Sequence, residues 1–362
     1  MKGAVRAWAE LLRVSALFTV PGDALAGAAA LGRRPDRGTA LAVGASLCLY
    51  EAGMALNDWA DRDEDAIDRP HRPIPSGRIT PGAALAAAGA LTAAGLTLAA
   101  RAGRPALTVA TGLAATVWAY DLHLKHTQAG PAAMAGARAL DLLLGATATA
   151  GTGAGSVGVK RPAGATGTSL AARSAGTVLL TRTARAVGPV QSMGSAHTTP
   201  PKVRAAVPAA ALLGAHTYAV TAVSRHEAQG GSTAAPLGAL AAIVALGAAA
   251  VREQHGSRDL PPDPGEGGRP GDRHRPRPGA PAPRVLLTAL TAAYLRTAAK
   301  PLLHAALNPS PPLTQRAVGG GIRAMIPLQA VLAARAGAAG TGLAVMGLVP
   351  LARTLARKVS LT

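Results

Sequence analysis

The chain has 362 residues, of which 49% are hydrophobic and only 15% charged, well below the roughly 25% of an average soluble domain. Its single cysteine, Cys48, excludes an intrachain disulfide framework and any cysteine-based metal site and reads as a small packing residue. The net charge of +19 does not point to nucleic acid, because the basic residues sit between apolar runs and aromatic residues are only 2% of the chain, too few for a stacking platform. Juxtamembrane arginine, held by anionic lipid and orientation rules, accounts for that charge.

The apolar residues, mostly Ala, Leu, Val and Gly, fall in long runs that predict an all-α, multi-pass membrane bundle. Candidate spans in chain order are 7–31, 39–57, 81–100, 104–121, 131–151, 204–223, 233–251, 284–300 and 320–354. Most match the length needed to cross about 30 Å of hydrocarbon, and the last is long enough for two, so the expected total is about nine. The first span follows Lys2 and Arg6, carries no cleavage-site pattern and is interrupted by Pro21-Gly22-Asp23, so it reads as a retained, broken helix. One membrane domain is expected over 1–362. It carries a basic low-complexity loop at 152–203 and a Pro/Gly/Arg-rich loop at 252–283, and 168–188 can form a short interfacial helix. With a cytoplasmic N-terminus, the 58–80, 122–130, 224–232 and 300–319 connections share the cytoplasmic side.

Between the second and third spans lies Asn57-Asp58-Trp59-Ala60-Asp61-Arg62-Asp63-Glu64-Asp65-Ala66-Ile67-Asp68, followed by an Arg- and Pro-rich turn. Asp58, Asp61 and Asp65 are spaced i, i+3, i+7, which stacks them on one helical stripe. Three like charges on one face suit a hard divalent cation such as Mg²⁺, which takes one or two carboxylates and completes its shell with water and phosphate oxygens. A solvated acidic helix end is the other reading of the same spacing. Further polar groups fall at or within the predicted spans: Arg13 and Asp23 in the first, Arg69 and Arg72 beside the acidic run, Tyr120, Asp121 and Lys125 closing the fourth, Arg138 and Asp141 three apart in the fifth, and Arg225, His226 and Glu227 after the sixth. Charged groups at membrane helix ends are costly unless they are used. Carboxylates for a metal, with Arg and Lys for a phosphate-rich anion, form a diphosphate-binding set.

Asn57-Asp58-x-x-Asp61-x-x-x-Asp65 running into Arg69-Pro70-His71-Arg72-Pro73-Ile74-Pro75-Ser76-Gly77 resembles the first aspartate motif of the UbiA superfamily of intramembrane prenyltransferases. Leu12-Arg13 through Gly22-Asp23 to Gly27 is similar to that family's first helix, and Tyr120 to Lys125 to its Tyr-x-x-x-x-Lys stretch. The pattern, with Ile326-Pro327-Leu328-Gln329-Ala330 near the C-terminus, is similar to a divergent, EboC-like branch. The resemblance implies about nine helices around a central cavity and Mg²⁺-dependent transfer of a prenyl group from a prenyl diphosphate to an aromatic or lipophilic acceptor. It implies Asp58, Asp61 and Asp65 as catalytic metal ligands and Asn57, Arg72, Lys125, Arg138 and Arg225 as diphosphate contacts. It also implies a bacterial cell-membrane location with the active-site loops cytoplasmic. A non-catalytic prenyl-lipid-binding or transport component, and a sugar-phosphate transferase acting on polyprenyl phosphate, are the alternatives. The chain departs from the family at its second Asp-rich motif, where Thr217 to Glu227 holds one carboxylate. Either Glu227, with Arg225, takes part of that metal-binding role, or the second metal is absent, with Arg138 and Asp141 as candidate compensation.

Overall fold

The computed structural model describes residues 2–152, 203–228, 230–252 and 284–351. Apart from their end residues, the two expected loops at 152–203 and 252–283 lie outside the described residues, as does the expected interfacial helix at 168–188.

Every described element is helical. The first expected span forms three pieces: α1 (Lys2–Leu11), a 3-10 turn (Val14–Thr19) and α2 (Pro21–Ala30). The break is at Arg13, whose φ of 47° makes it the one described non-glycine residue in the left-handed region. Pro21 then opens α2 at a position where its missing N–H has no helical partner to lose. Asp36 starts α3 (Arg37–Ala60) with a capping box: its carboxylate accepts from the Thr39 N–H at 3.0 Å and its own N–H donates to Thr39 Oγ1 at 3.1 Å. The short α4 (Arg62–Asp68) follows. Thr80 caps α5 (Pro81–Ala102), and Gly103, at φ 127°, turns the chain into α6 (Arg104–Ala119). A π-turn at Tyr120–Leu124 leads to α7 (Gly130–Thr152). The second half holds α8 (Val207–Ser224), α9 (Ala234–Arg252), α10 (Arg284–Leu307), α11 (Pro311–Arg335) and α12 (Ala339–Met346). The expected 320–354 segment therefore begins earlier, at Pro311, and does divide in two.

Among the described residues, five helical stretches are long and apolar enough to cross a membrane: Arg37–Ala60, Pro81–Ala102, Val203–Ser224, Ala234–Arg252 and Pro311–Arg335. Their burial separates centre from rim. In α11, 83% of the most apolar 18-residue stretch is buried, against 22% in α5 and 28% in α9. Residues such as Val244 and Leu237 on α9 are half exposed, which in lipid is the outward face of a bundle. Small residues bring the central helices together: a Cβ placed on Gly27 of α2 or Gly145 of α7 would run into the backbone of the other helix. The inner walls of α3, α6, α7, α8 and α11 enclose one central cavity.

Candidate active site

The cavity has a volume of about 550 Å³. Its middle is apolar, with Leu49 and Gly53 of α3, Leu113 and Val117 of α6, Val220 of α8 and Val318 of α11. At the end where α3, α6 and α8 terminate, its wall carries Arg13, Asn57, Tyr120, Asp121 and Glu227.

The acidic run keeps Asp58 and Asp65 on the stripe that the spacing predicts, but a break at Asp61 takes the third aspartate off it. The backbone leaves helical geometry at Asp61, yet the ladder continues across it: the Asp61 N–H donates to Asn57 O at 2.9 Å and the Asp65 N–H to Asp61 O at 2.8 Å. Asp58 and Asp65 stay stacked, and one guanidinium nitrogen, Arg72 Nη1, reaches Asp65 Oδ2 at 2.7 Å and Asp58 Oδ1 at 3.4 Å. Arg13 Nη2 donates to the same Asp58 oxygen at 3.1 Å. Asp61 turns aside to Lys125 Nζ and accepts from Asn57 Nδ2 at 3.2 Å. Arg69 Nε lies 3.4 Å from Asp65 Oδ1, which accepts no hydrogen bond although it is buried. The repulsion inherent in the stripe is thus balanced by four protein cations. The Arg72 loop is fastened in turn, since Arg78 forks onto Glu10 of α1 at 2.7 and 3.1 Å.

The donor set is all hard oxygen and suits Mg²⁺. The buried Asp65 oxygen that accepts no hydrogen bond is an observation of the same sign. A second grouping lies beside it: Asp61, Glu64 and His126 offer ligand atoms within 4.8 Å of one another, with Glu64 and His126 exposed. Glu227 lines the cavity but belongs to neither group. Burial raises its carboxyl above the usual carboxylate range, with Arg69 opposing.

Two residues expected to contact the diphosphate lie apart from the acidic run. Arg225 is exposed and outside the cavity wall, because it falls just past the end of α8 on the outer side. Arg138 lines the cavity, but its guanidinium is held by Asp23 and by Thr19 Oγ1 at 3.1 Å. Asp141, the partner its spacing suggests, is 3.9 Å away and takes its hydrogen bond from Ser46. Ser46 is eleven residues before Asn57 on α3, so this network sits about 16 Å along the helix from the acidic run at roughly 1.5 Å per residue. Gln329 of α11 completes it, donating through Nε2 to Asp23 Oδ1 and Thr19 O, both at 2.6 Å.

Sequence reasoning passed over His216 and Glu51. His216 lines the cavity, with Nε2 3.0 Å from Gly321 O and Nδ1 3.0 Å from Tyr294 Oη. A neutral ring that donates to the carbonyl and accepts from the tyrosine satisfies both contacts. Glu51 is buried on α3, away from the cavity wall, and neither of its carboxylate oxygens has a hydrogen-bond partner. The available signal for each was a lone polar residue inside an apolar run. Met54, which reads as a packing residue, faces the cavity.

A helical bundle with apolar outer faces, closed around a cavity whose one end gathers carboxylates, arginines and a lysine, defines an integral membrane protein with a charged pole beside a hydrophobic chamber. The model of the UbiA prenyltransferase family matches residues 15–260, and the chain belongs to that family. It is 36% identical over 128 residues to the digeranylgeranylglyceryl phosphate synthase of Methanopyrus kandleri, covering 34% of this chain and 45% of that protein. With the synthase of the same name from Ignicoccus hospitalis it shares 35% identity over 149 residues, 41% of this chain and 49% of that one. The chain thus spans about half the length of the curated relatives it matches. The apo UbiA homologue of Aeropyrum pernix K1 superposes with a TM-score of 0.54 at 17% identity, covering 92% of this chain and 98% of that one. The Archaeoglobus fulgidus UbiA homologue bound to DMAPP and Mg²⁺ gives 0.52 at 17% identity, covering 94% and 99%. At that identity the likeness is one of fold.

Proposed function

We propose that the chain is a Mg²⁺-dependent intramembrane prenyltransferase that moves a prenyl group from a prenyl diphosphate to a lipophilic acceptor. The observation that carries this reading is the pairing of Asp58, Asp61 and Asp65 with Arg13, Arg72 and Lys125 at the end of an apolar cavity. The three aspartates are the residues that would hold Mg²⁺. When bound, the metal supplies positive charge against the diphosphate and makes it a better leaving group.

The chain's own groups do the rest. Arg72 and Arg13 offer guanidinium N–H donors to the diphosphate oxygens, and Lys125 adds a point charge. Asn57 keeps the Asp61 carboxylate oriented. The apolar wall excludes water, so the electron-poor prenyl carbon meets the acceptor before it meets solvent. Arg138 and Arg225 are left out of the diphosphate set, the first because Asp23 holds it and the second because it lies off the cavity. A cytoplasmic placement of the acidic end follows from the basic and mixed connections that flank it.

Transfer by Asp61→Ala in lipid tests the reading. A fall of about 100-fold or more, the scale on which one charge-stabilising group acts, is expected while the protein stays folded in the membrane. Wild-type turnover by that variant would remove the assignment. Metal-dependent binding of prenyl diphosphate without diphosphate release from the wild-type chain would identify a lipid-binding member instead.

A further inference from the structure

One carboxylate at this end of the cavity is unlike the others. Asp58, Asp61 and Asp65 each pair with a protein cation, whereas the Asp121 carboxylate makes no hydrogen bond and no ion pair among the described residues. It is nevertheless only 4% exposed, and it lines the cavity. Lys125, one turn further on, is committed to Asp61.

Its position follows from the local backbone. Asp121 sits in the π-turn Tyr120–Leu124, a wide turn of a kind that recurs at functional sites. Its Oδ2 faces α3 at Gly53, where an added Cβ would lie 3.8 Å from it. Gly53 precedes Asn57 by four residues, so the carboxylate faces α3 about one turn before the acidic run begins, within electrostatic reach of Lys125, Asp61, Arg13 and Asp58. That places it where the acidic end meets the apolar chamber, the boundary at which the prenyl carbon bonded to a diphosphate would sit. An unpaired carboxylate is expensive to keep in such a place unless a ligand supplies its hydrogen bond.

We infer that Asp121 is a catalytic residue of the transfer: it receives the acceptor's nucleophilic O–H as a hydrogen bond and takes its proton. The inference rests on the prenyltransferase reading. In the step it serves, the bond between the prenyl carbon and the diphosphate oxygen breaks and its electron pair leaves on the diphosphate. The acceptor oxygen forms the new bond to that carbon, and its proton passes to Asp121, which becomes a neutral acid. The acceptor is therefore an alcohol or phenol, uncharged at its reacting end, because an anionic group facing Asp121 would meet a like charge while the cations nearest it among the described residues, Lys125 and Arg13, are committed to Asp61 and Asp58.

The test uses the full chain in lipid with Mg²⁺, geranylgeranyl diphosphate, and a monoalkylglycerol and a 4-alkylphenol as acceptor probes. Two quantities are read: the affinity for geranylgeranyl diphosphate by titration calorimetry, and the rate of transfer. Asp121→Asn is expected to bind within about threefold of wild type and to transfer at least 100-fold more slowly, as loss of a general base does. Asp121→Glu, which keeps the base, is expected to recover about tenfold of that loss. Transfer by Asp121→Asn at the wild-type rate, or equal rates for the Asn and Glu variants, would overturn the inference and leave the prenyltransferase reading standing. So would a matching loss of Mg²⁺-dependent binding in Asp121→Asn, which would make Asp121 a metal ligand. A wild-type chain that binds geranylgeranyl diphosphate and transfers to neither probe would overturn the reading and this inference together.

Discussion

The two halves of the bundle treat charge differently. From Arg13 to Asp141 the chain supplies every ion pair of the acidic run and of the deeper network among the described residues, so paired charge is concentrated in α1 to α7. From Val203 to Leu351 it supplies the closing wall: the buried centre of α11, the His216–Tyr294 contact, the Gln329 bridge back to Asp23 and, among the described residues, a single cavity carboxylate, Glu227. The halves are thus not duplicate ligand arms. One holds charge, and the other shapes and seals the chamber in which that charge acts.

Substitutions on each side can break this division. The largest effect on folding is expected from Arg138→Met, which strands the fully buried Asp23 carboxylate without its cation. Losing one partner of a buried pair costs about 3–5 kcal/mol, so the variant should unfold far earlier than wild type in a detergent thermal melt. Arg72→Ala should weaken Mg²⁺-dependent binding of prenyl diphosphate by about 10- to 100-fold, since a hydrogen bond to a charged group contributes roughly 1.5–3 kcal/mol. The binding isotherm measures this directly, and unchanged affinity would detach the Arg72 loop from the site. On the sealing side, Gln329→Leu removes two donors from buried acceptors and should cost about 1–3 kcal/mol of stability while leaving diphosphate affinity alone. A loss of affinity there would mean that α11 belongs to the charged half after all. Smallest is Glu10→Gln, because the Glu10–Arg78 fork is more than a third exposed on both sides and pairs of that kind contribute about 0–1 kcal/mol. Its melt should scarcely move.

Much of this was legible in the sequence. Long apolar runs with caps and breakers placed α5, α6 and α9 within a few residues, because Thr80-Pro81 and Gly103 leave the backbone little choice. The i, i+7 spacing put Asp58 and Asp65 on one stripe, where Arg72 bridges them. What spacing could not supply was the partners. Arg138 reads naturally as paired to Asp141, three residues away, yet its guanidinium lies on Asp23, 115 positions earlier, and Gln329 meets Asp23 across 306. Contacts of that separation are decided by which helices become neighbours. Asp121 was visible as a polar residue closing a span, but its depth depends on the π-turn, and no periodicity announces one. Asp61 was visible too, while its turn toward Lys125 depends on a backbone break that the helical pattern does not contain.

The central claim is that the charged half holds a prenyl diphosphate through a divalent metal and lets the diphosphate leave. The most direct test is diphosphate release by the purified wild-type chain in lipid, with geranylgeranyl diphosphate and an alcohol acceptor, with Mg²⁺ and after its removal by chelation. The account predicts release that requires Mg²⁺ and rises with acceptor concentration. Release at the same rate without metal, or none in its presence, would contradict it.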